Sequence, residues 1–180
     1  MNIKKLTGLS FGTVPLAIRG FTSFQLTKAA RLKLPFWIEN RPTEIRNILL
    51  VDDQTELLTN MAGKIEMKLG VRPSCIDPES PCPIKEQVLA TVAAAAPDLI
   101  IMDGNLGTSP TGKKLTGTEI IRELRSQGYR GYILANSNDP IMNWEMTDYG
   151  ADFNARVKYT KYDKIRQLTL FINKYFQEVQ

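Results

Sequence analysis

The sequence predicts an α/β fold, a doubly wound five-stranded parallel sheet with helices on both faces. Three observations carry this. From about residue 46 onward, short apolar runs alternate with stretches of helical period. The run Leu99–Met102 is continuously apolar, as in a central strand covered on both sides. Alternation of strand with helix implies right-handed crossovers between parallel strands.

The elements follow in order. Residues 47–51 are an apolar-rich strand, and Thr55–Leu69 places Leu57, Leu58, Met61, Ile65 and Leu69 on one helical face, with Gly70 where a helix stop belongs. Residues 74–76 are a brief strand. Pro83 opens a helix running to Ala96 with Ile84, Val88, Leu89 and Val92 inward, and Pro97 ends it. The central strand then runs into Asp103. Thr116 starts a helix through Ser126, residues 131–135 form a fourth strand, and Asp139-Pro140 caps a helix ending near Gly150. A fifth strand over 153–157 and a helix over 160–179 complete the pattern.

Residues 46–180 make the domain, and 1–45 an N-terminal extension that ends at the turn-like Asn40-Arg41-Pro42-Thr43. The formal charge of +4 is uneven: residues 1–46 carry eight Lys/Arg against Glu39 and Glu44, and the rest is mildly acidic. Phe11, Phe21, Phe24, Phe36 and Trp37 make the extension too apolar for a solvated tail, so it is expected to pack on the domain or on a partner. Homodimerisation is one option. Binding to nucleic acid or an anionic membrane is another, less favoured.

Composition also excludes. The chain has no histidine and only Cys75 and Cys82, which leaves no ligands for a tetrahedral zinc site and no base for Ser/His or Cys/His catalysis. The two cysteines read as thiols in a reducing compartment, hence a cytoplasmic protein. No apolar run approaches the roughly 18 residues of a membrane helix.

Parallel sheets put their sites at the carboxyl ends of strands. Asp52, Asp53, Asp77, Asp103, Ser137 and Lys158 fall there. Adjacent central strands bring Asp52, Asp53 and Asp103 together, and three carboxylates so close call for a hard divalent cation, Mg2+ above all. One carboxylate can then attack phosphorus, with the Ser137 hydroxyl and Lys158 matching the phosphoryl oxygens. Asp53 has an alternative role, capping the helix that begins near Thr55.

Asn47-Ile48-Leu49-Leu50-Val51-Asp52-Asp53 resembles the opening strand and acidic pair of the receiver domains of two-component response regulators. Pro97-Asp98-Leu99-Ile100-Ile101-Met102-Asp103 resembles their phosphoacceptor strand, and the segment from Gly117 to Arg125 the helix after it. Ile133-Leu134-Ala135-Asn136-Ser137 resembles the strand with the Ser/Thr switch residue, and Gly150-Ala151-Asp152 followed by Lys158 the fifth-strand region with its lysine. The resemblance implies a flavodoxin-like strand order 2-1-3-4-5. It implies Asp103 as phosphoacceptor, Ser137 and Lys158 as phosphoryl ligands, and Mg2+ held by Asp52, Asp53, Asp103 and the Asn105 backbone carbonyl. It further implies a histidine kinase or phosphotransfer protein as donor, and a downstream protein partner or a phosphorelay as output. The final helix ends with the chain, so a stand-alone receiver is expected.

The chain departs from the family pattern. Gly117 lies fourteen residues after Asp103 instead of about eight, and the excess, with Lys113 and Lys114, is expected to be a loop over the site whose lysines are solvated or, less favoured, attract a phosphorylated partner. Tyr159 follows Lys158 where the family has proline, Lys161 is the alternative lysine, and Ala155 replaces the switch aromatic, with Phe153 on the same strand face. Asn105 and Asp139 stand where the family tunes hydrolysis of the acyl phosphate. These departures motivate the rival reading, a pseudo-receiver that serves only as a binding scaffold.

Overall fold

The computed structural model describes residues 30–32, 44–108, 112–154 and 164–177. Strand β1 (Ala30–Leu32) and strand β2 (Glu44–Ile45) precede the first strand of the main sheet, β3 (Ile48–Val51), which is buried along its whole length. Helix α1 (Thr55–Leu69) follows, and its buried residues Leu58, Met61, Ile65 and Leu69 recur at the three- and four-residue spacing of an inward face. It ends at Gly70, whose φ of 65° closes the helix with a left-handed residue, as the sequence predicts.

The edge strand β4 (Ser74–Cys75) is short and exposed; helix α2 (Ile84–Ala95) leads to β5 (Leu99–Met102), each of whose residues is at most 2% exposed. A hairpin comes next, β6 (Asn105–Thr108) against β7 (Lys114–Thr116). Thr116 then caps helix α3 (Gly117–Ser126), its side chain accepting the Glu119 N–H. Strand β8 (Tyr132–Ala135), helix α4 (Pro140–Asp148), strand β9 (Phe153–Asn154), helix α5 (Lys164–Tyr175) and strand β10 (Phe176–Gln177) complete the described chain.

The main sheet is parallel with order β4-β3-β5-β8-β9, the predicted 2-1-3-4-5. Helices α1 and α5 pack together on one face, and α2, α3 and α4 are neighbours on the other. The order in which strands are added reverses between β3 and β5, so the crevice at their carboxyl ends is the place for a ligand.

Two expectations are corrected. The segment after Asp103 is an antiparallel hairpin tied at its base by Asn105 opposite Thr116, and Leu106 is buried, which gives the insertion a packed anchor that a loop lacks. The last helix ends at Tyr175, before 179, because the next residues pair with β1: Leu32 stands opposite Phe176 and Arg31 opposite Gln177. Strand β1 also pairs with β2, and Ile45 is fully buried in the core. Residues 155–163, which hold most of the predicted fifth strand and Lys158, lie outside the described residues.

Candidate functional site

Two strands deliver the three acidic residues. Asp52 and Asp53 follow β3, and Asp103 follows β5, its N–H still bonded to the Val51 carbonyl so that the two strand ends stay in register. Oxygens of the three carboxylates all lie within 4.8 Å of one another. Asp52 is 1% and Asp103 5% exposed, and Asp53 is half-buried. The capping alternative for Asp53 does not hold: the N-cap of α1 is Gln54, and it is Asp52 whose oxygen accepts the Gln54 N–H, at 3.0 Å.

Two buried carboxylates side by side need a cation, and Lys164 supplies it. Its ammonium lies 2.7 Å from Asp52 Oδ2 and 2.9 Å from Asp103 Oδ2, and the residue is 4% exposed. Sequence reading did not single it out. Lys158, Lys161, Ala155 and Tyr159 are outside the described residues. The signal for Lys164 was its place on the last helix: together with Leu168, Phe171 and Ile172, all buried, it falls on the stripe that faces inward.

These surroundings move the proton equilibria. Burial disfavours the Asp103 carboxylate and, with Lys164 pulling down and Asp52 pushing up, leaves its pKa at about 6. Burial also raises Asp52 against the pull of Lys164. For Lys164, burial alone would lower the pKa, but the charges of Asp103 and Asp52 outweigh it and raise it.

The donor set fits a hard divalent cation. Three carboxylates against one ammonium leave two negative charges, which one divalent ion balances. Asp52 and Asp103 each have a second oxygen that, among the described residues, is engaged only by a backbone N–H: Gln54 at 3.0 Å and Gly104 at 2.7 Å.

Ser137 is held as firmly. Its N–H donates to Asn143 Oδ1 at 2.7 Å, and Asn143 Nδ2 donates back to the Ser137 carbonyl at 2.8 Å. The Asp139 N–H donates to Ser137 Oγ at 3.2 Å, leaving the hydroxyl hydrogen to point elsewhere. Asp139 caps α4 through the Ile141 N–H, as its position before Pro140 predicts. Asn143 is a further residue that the sequence did not mark, since an asparagine within a helix carries no pattern of its own.

A cavity of about 280 Å3 joins Asp53, Asp103, Asn105, Ser137 and Lys164. It is roughly the space of nine water molecules at about 30 Å3 each, ample for a phosphoryl group with part of its hydration. Gly104 packs closely on two of the lining residues: an added Cβ would lie 2.1 Å from Met142 Cγ and 3.0 Å from Ser137 Oγ. Away from the cavity, Phe153 is packed among Tyr132, Phe171 and Tyr175, with ring centres 5.1 to 5.8 Å apart, which joins the fourth and fifth strands to α5.

The fold and site together are those of a doubly wound α/β domain with an acid cluster at the carboxyl ends of its central strands. No family model matches the chain, and no curated protein matches it significantly. Solved structures do. The receiver domain of NtrX from Brucella abortus is 19% identical over 71% of this chain and 95% of its own, with a TM-score of 0.53. The chemotaxis protein CheY4 of Vibrio cholerae gives 19% identity, 71% and 96% coverage and a TM-score of 0.52. The signal receiver domain of a LuxO repressor protein from Vibrio parahaemolyticus gives 14%, 74%, 92% and 0.51. At these identities the likeness is one of fold, and the fold is that of the receiver domain. Among the described residues no helix is long and apolar enough to cross a membrane.

Proposed function

We propose that the chain is a response regulator receiver that accepts a phosphoryl group on Asp103 in a Mg2+-dependent reaction. The observation that carries this is the buried Asp52–Lys164–Asp103 cluster with Asp53 alongside, opening into a cavity that also reaches Ser137. In this reading Asp52, Asp53, Asp103 and the Asn105 backbone carbonyl hold Mg2+, whose charge offsets that of the incoming phosphoryl oxygens. An Asp103 oxygen attacks phosphorus, a P–O bond forms, and the bond from phosphorus to the donor's leaving group breaks with its electron pair. Lys164, already 2.9 Å from Asp103, pairs with one phosphoryl oxygen, and the Ser137 hydroxyl donates to another. The donor is a histidine kinase or a phosphotransfer protein, the setting is the cytoplasm, and output passes to a protein partner or along a phosphorelay.

The test is incubation with Mg2+ and a small phosphodonor, followed by intact mass. One added phosphoryl group, absent in Asp103→Asn and without Mg2+, is expected. No addition, together with no Mg2+ binding, refutes the reading in favour of a phosphorylation-independent scaffold.

A further inference from the structure

We infer that Lys114, on the hairpin inserted after the acceptor strand, is a recognition residue for the phosphoryl group of the incoming donor. This rests on the reading of Asp103 as acceptor.

With Lys164 buried and spent on two of the three carboxylates, a divalent ion only brings the site to neutrality and leaves no net attraction for an anionic phosphodonor. A further cation at the entrance supplies that attraction, and Lys114 is placed there. It lines the cavity shared by Asp103 and Ser137, and with Asp53 it also lines the adjoining groove of about 1100 Å3 between the hairpin, α3 and the start of α2. Lys114 and Asp53 therefore stand where the open groove meets the phosphoryl cavity.

Its neighbour shows the contrast. Lys113 is paired with Glu119 at 2.8 Å and does not line the cavity. Lys114 has no ion pair or hydrogen-bonding side-chain partner among the described residues, in a site crowded with acids. The hairpin also fixes its position. Lys114 stands opposite Thr108, Asn105 opposite Thr116, Leu106 is buried beneath, and Thr116 is the cap of α3. A lysine solvated by default would need none of that anchoring.

The experiment is the rate of labelling by acetyl phosphate in Mg2+, read by intact mass. In that step an Asp103 oxygen bonds to phosphorus while the bond from phosphorus to acetate breaks and acetate leaves with the electron pair. Two unit charges about 4 Å apart at a hydrated surface interact by about 1 kcal/mol, so Lys114→Gln is expected to label about fivefold more slowly. Lys114→Arg should keep the rate, Lys113→Gln should stay within about twofold, and the rate in Lys114→Gln should depend less on salt. Mg2+ affinity of Lys114→Gln should be unchanged or tighter, since a repelling cation is removed. Labelling of Lys114→Gln at the natural rate, or a parallel loss of Mg2+ binding, would overturn the inference while leaving Asp103 as acceptor. A natural chain that takes no label fails the acceptor reading itself, and this inference with it.

Discussion

Removing the Lys164 ammonium should cost stability far beyond what an exposed lysine is worth. In Lys164→Met the stem volume is kept, and Asp52 and Asp103 are left at 1% and 5% exposure with no cation between them. Breaking a buried ion pair by removing one partner costs roughly 3–5 kcal/mol. Whole-chain stabilities are about 5–15 kcal/mol, so the variant sits near the limit of folding. With a urea slope of about 2 kcal/mol/M, equilibrium unfolding at pH 7 without Mg2+ should shift its midpoint down by about 2 M.

The same electrostatics sets two further signatures. Asp103 titrates at about 6 in the folded chain, above an ordinary carboxyl, because of burial. Its folded form therefore takes up a proton first as pH falls, and a raised folded pKa in an acid means stability gained on acidification through that pKa. Without Lys164 pulling down, the folded pKa rises further. The deficit of Lys164→Met should thus shrink between pH 7 and pH 5. Adding Asp103→Asn to Lys164→Met should also recover part of the loss, because one of the two stranded charges is gone. A deficit under about 1 kcal/mol, equal at both pH values, would refute the account of Lys164 as the buried counter-ion.

Two other perturbations probe the frame that holds the site. Arg125 donates to the carbonyls of Gly150, Tyr129 and Gly131 and to Asp152 Oδ2, all at 2.8 to 3.0 Å, and is mostly buried. Arg125→Ala should cost about 3–5 kcal/mol, seen calorimetrically as a fall in Tm of about 10 °C, and Arg125→Lys should not restore it, because an ammonium lacks the planar fork. Gly104→Ala should cost about 1–3 kcal/mol through the clash with Met142 and Ser137, and Met142→Ala in the same chain should cost less than it does alone, as a thermal-melt double-mutant cycle would reveal.

The main sheet was legible because its strands carry period and burial together. Each residue of β5 is buried, which a run of four apolar residues ending in Asp103 announces. The short edges were legible only in outline, since Ser74 and Cys75 are exposed and their pairing with Leu49 and Leu50 leaves no apolar signature. The hairpin was read as a loop because its strands hold one buried residue, Leu106, and the turn sequence Ser109-Pro110-Thr111-Gly112 dominates the local pattern. The C-terminal strand escaped for a different reason. Phe176 continues the helical apolar spacing of Phe171 and Ile172, and only the long-range pairing with β1 decides against helix.

The site divides along the same line. Asp52, Asp53, Asp103 and Ser137 are fixed by strand ends, which local pattern can locate, and they converge as expected. Lys164 is different: local pattern does not show which residue of the last helix meets the acids, and the predicted Lys158 lies outside the described residues. What could have pointed to Lys164 is energetic: a lysine at the inward spacing of Leu168, Phe171 and Ile172 must either snorkel or find acids, and α5 packs beside α1, whose start lies next to Asp52. The stem lies on the apolar stripe and the ammonium ends on the two carboxylates. Helix α5 thereby links the counter-ion at its first residue to the aromatic cluster of Phe153, Phe171 and Tyr175 nearer its end. If Asp103 is the acceptor, a phosphoryl group that drew Lys164 away from Asp52 would pull on the helix that carries those rings.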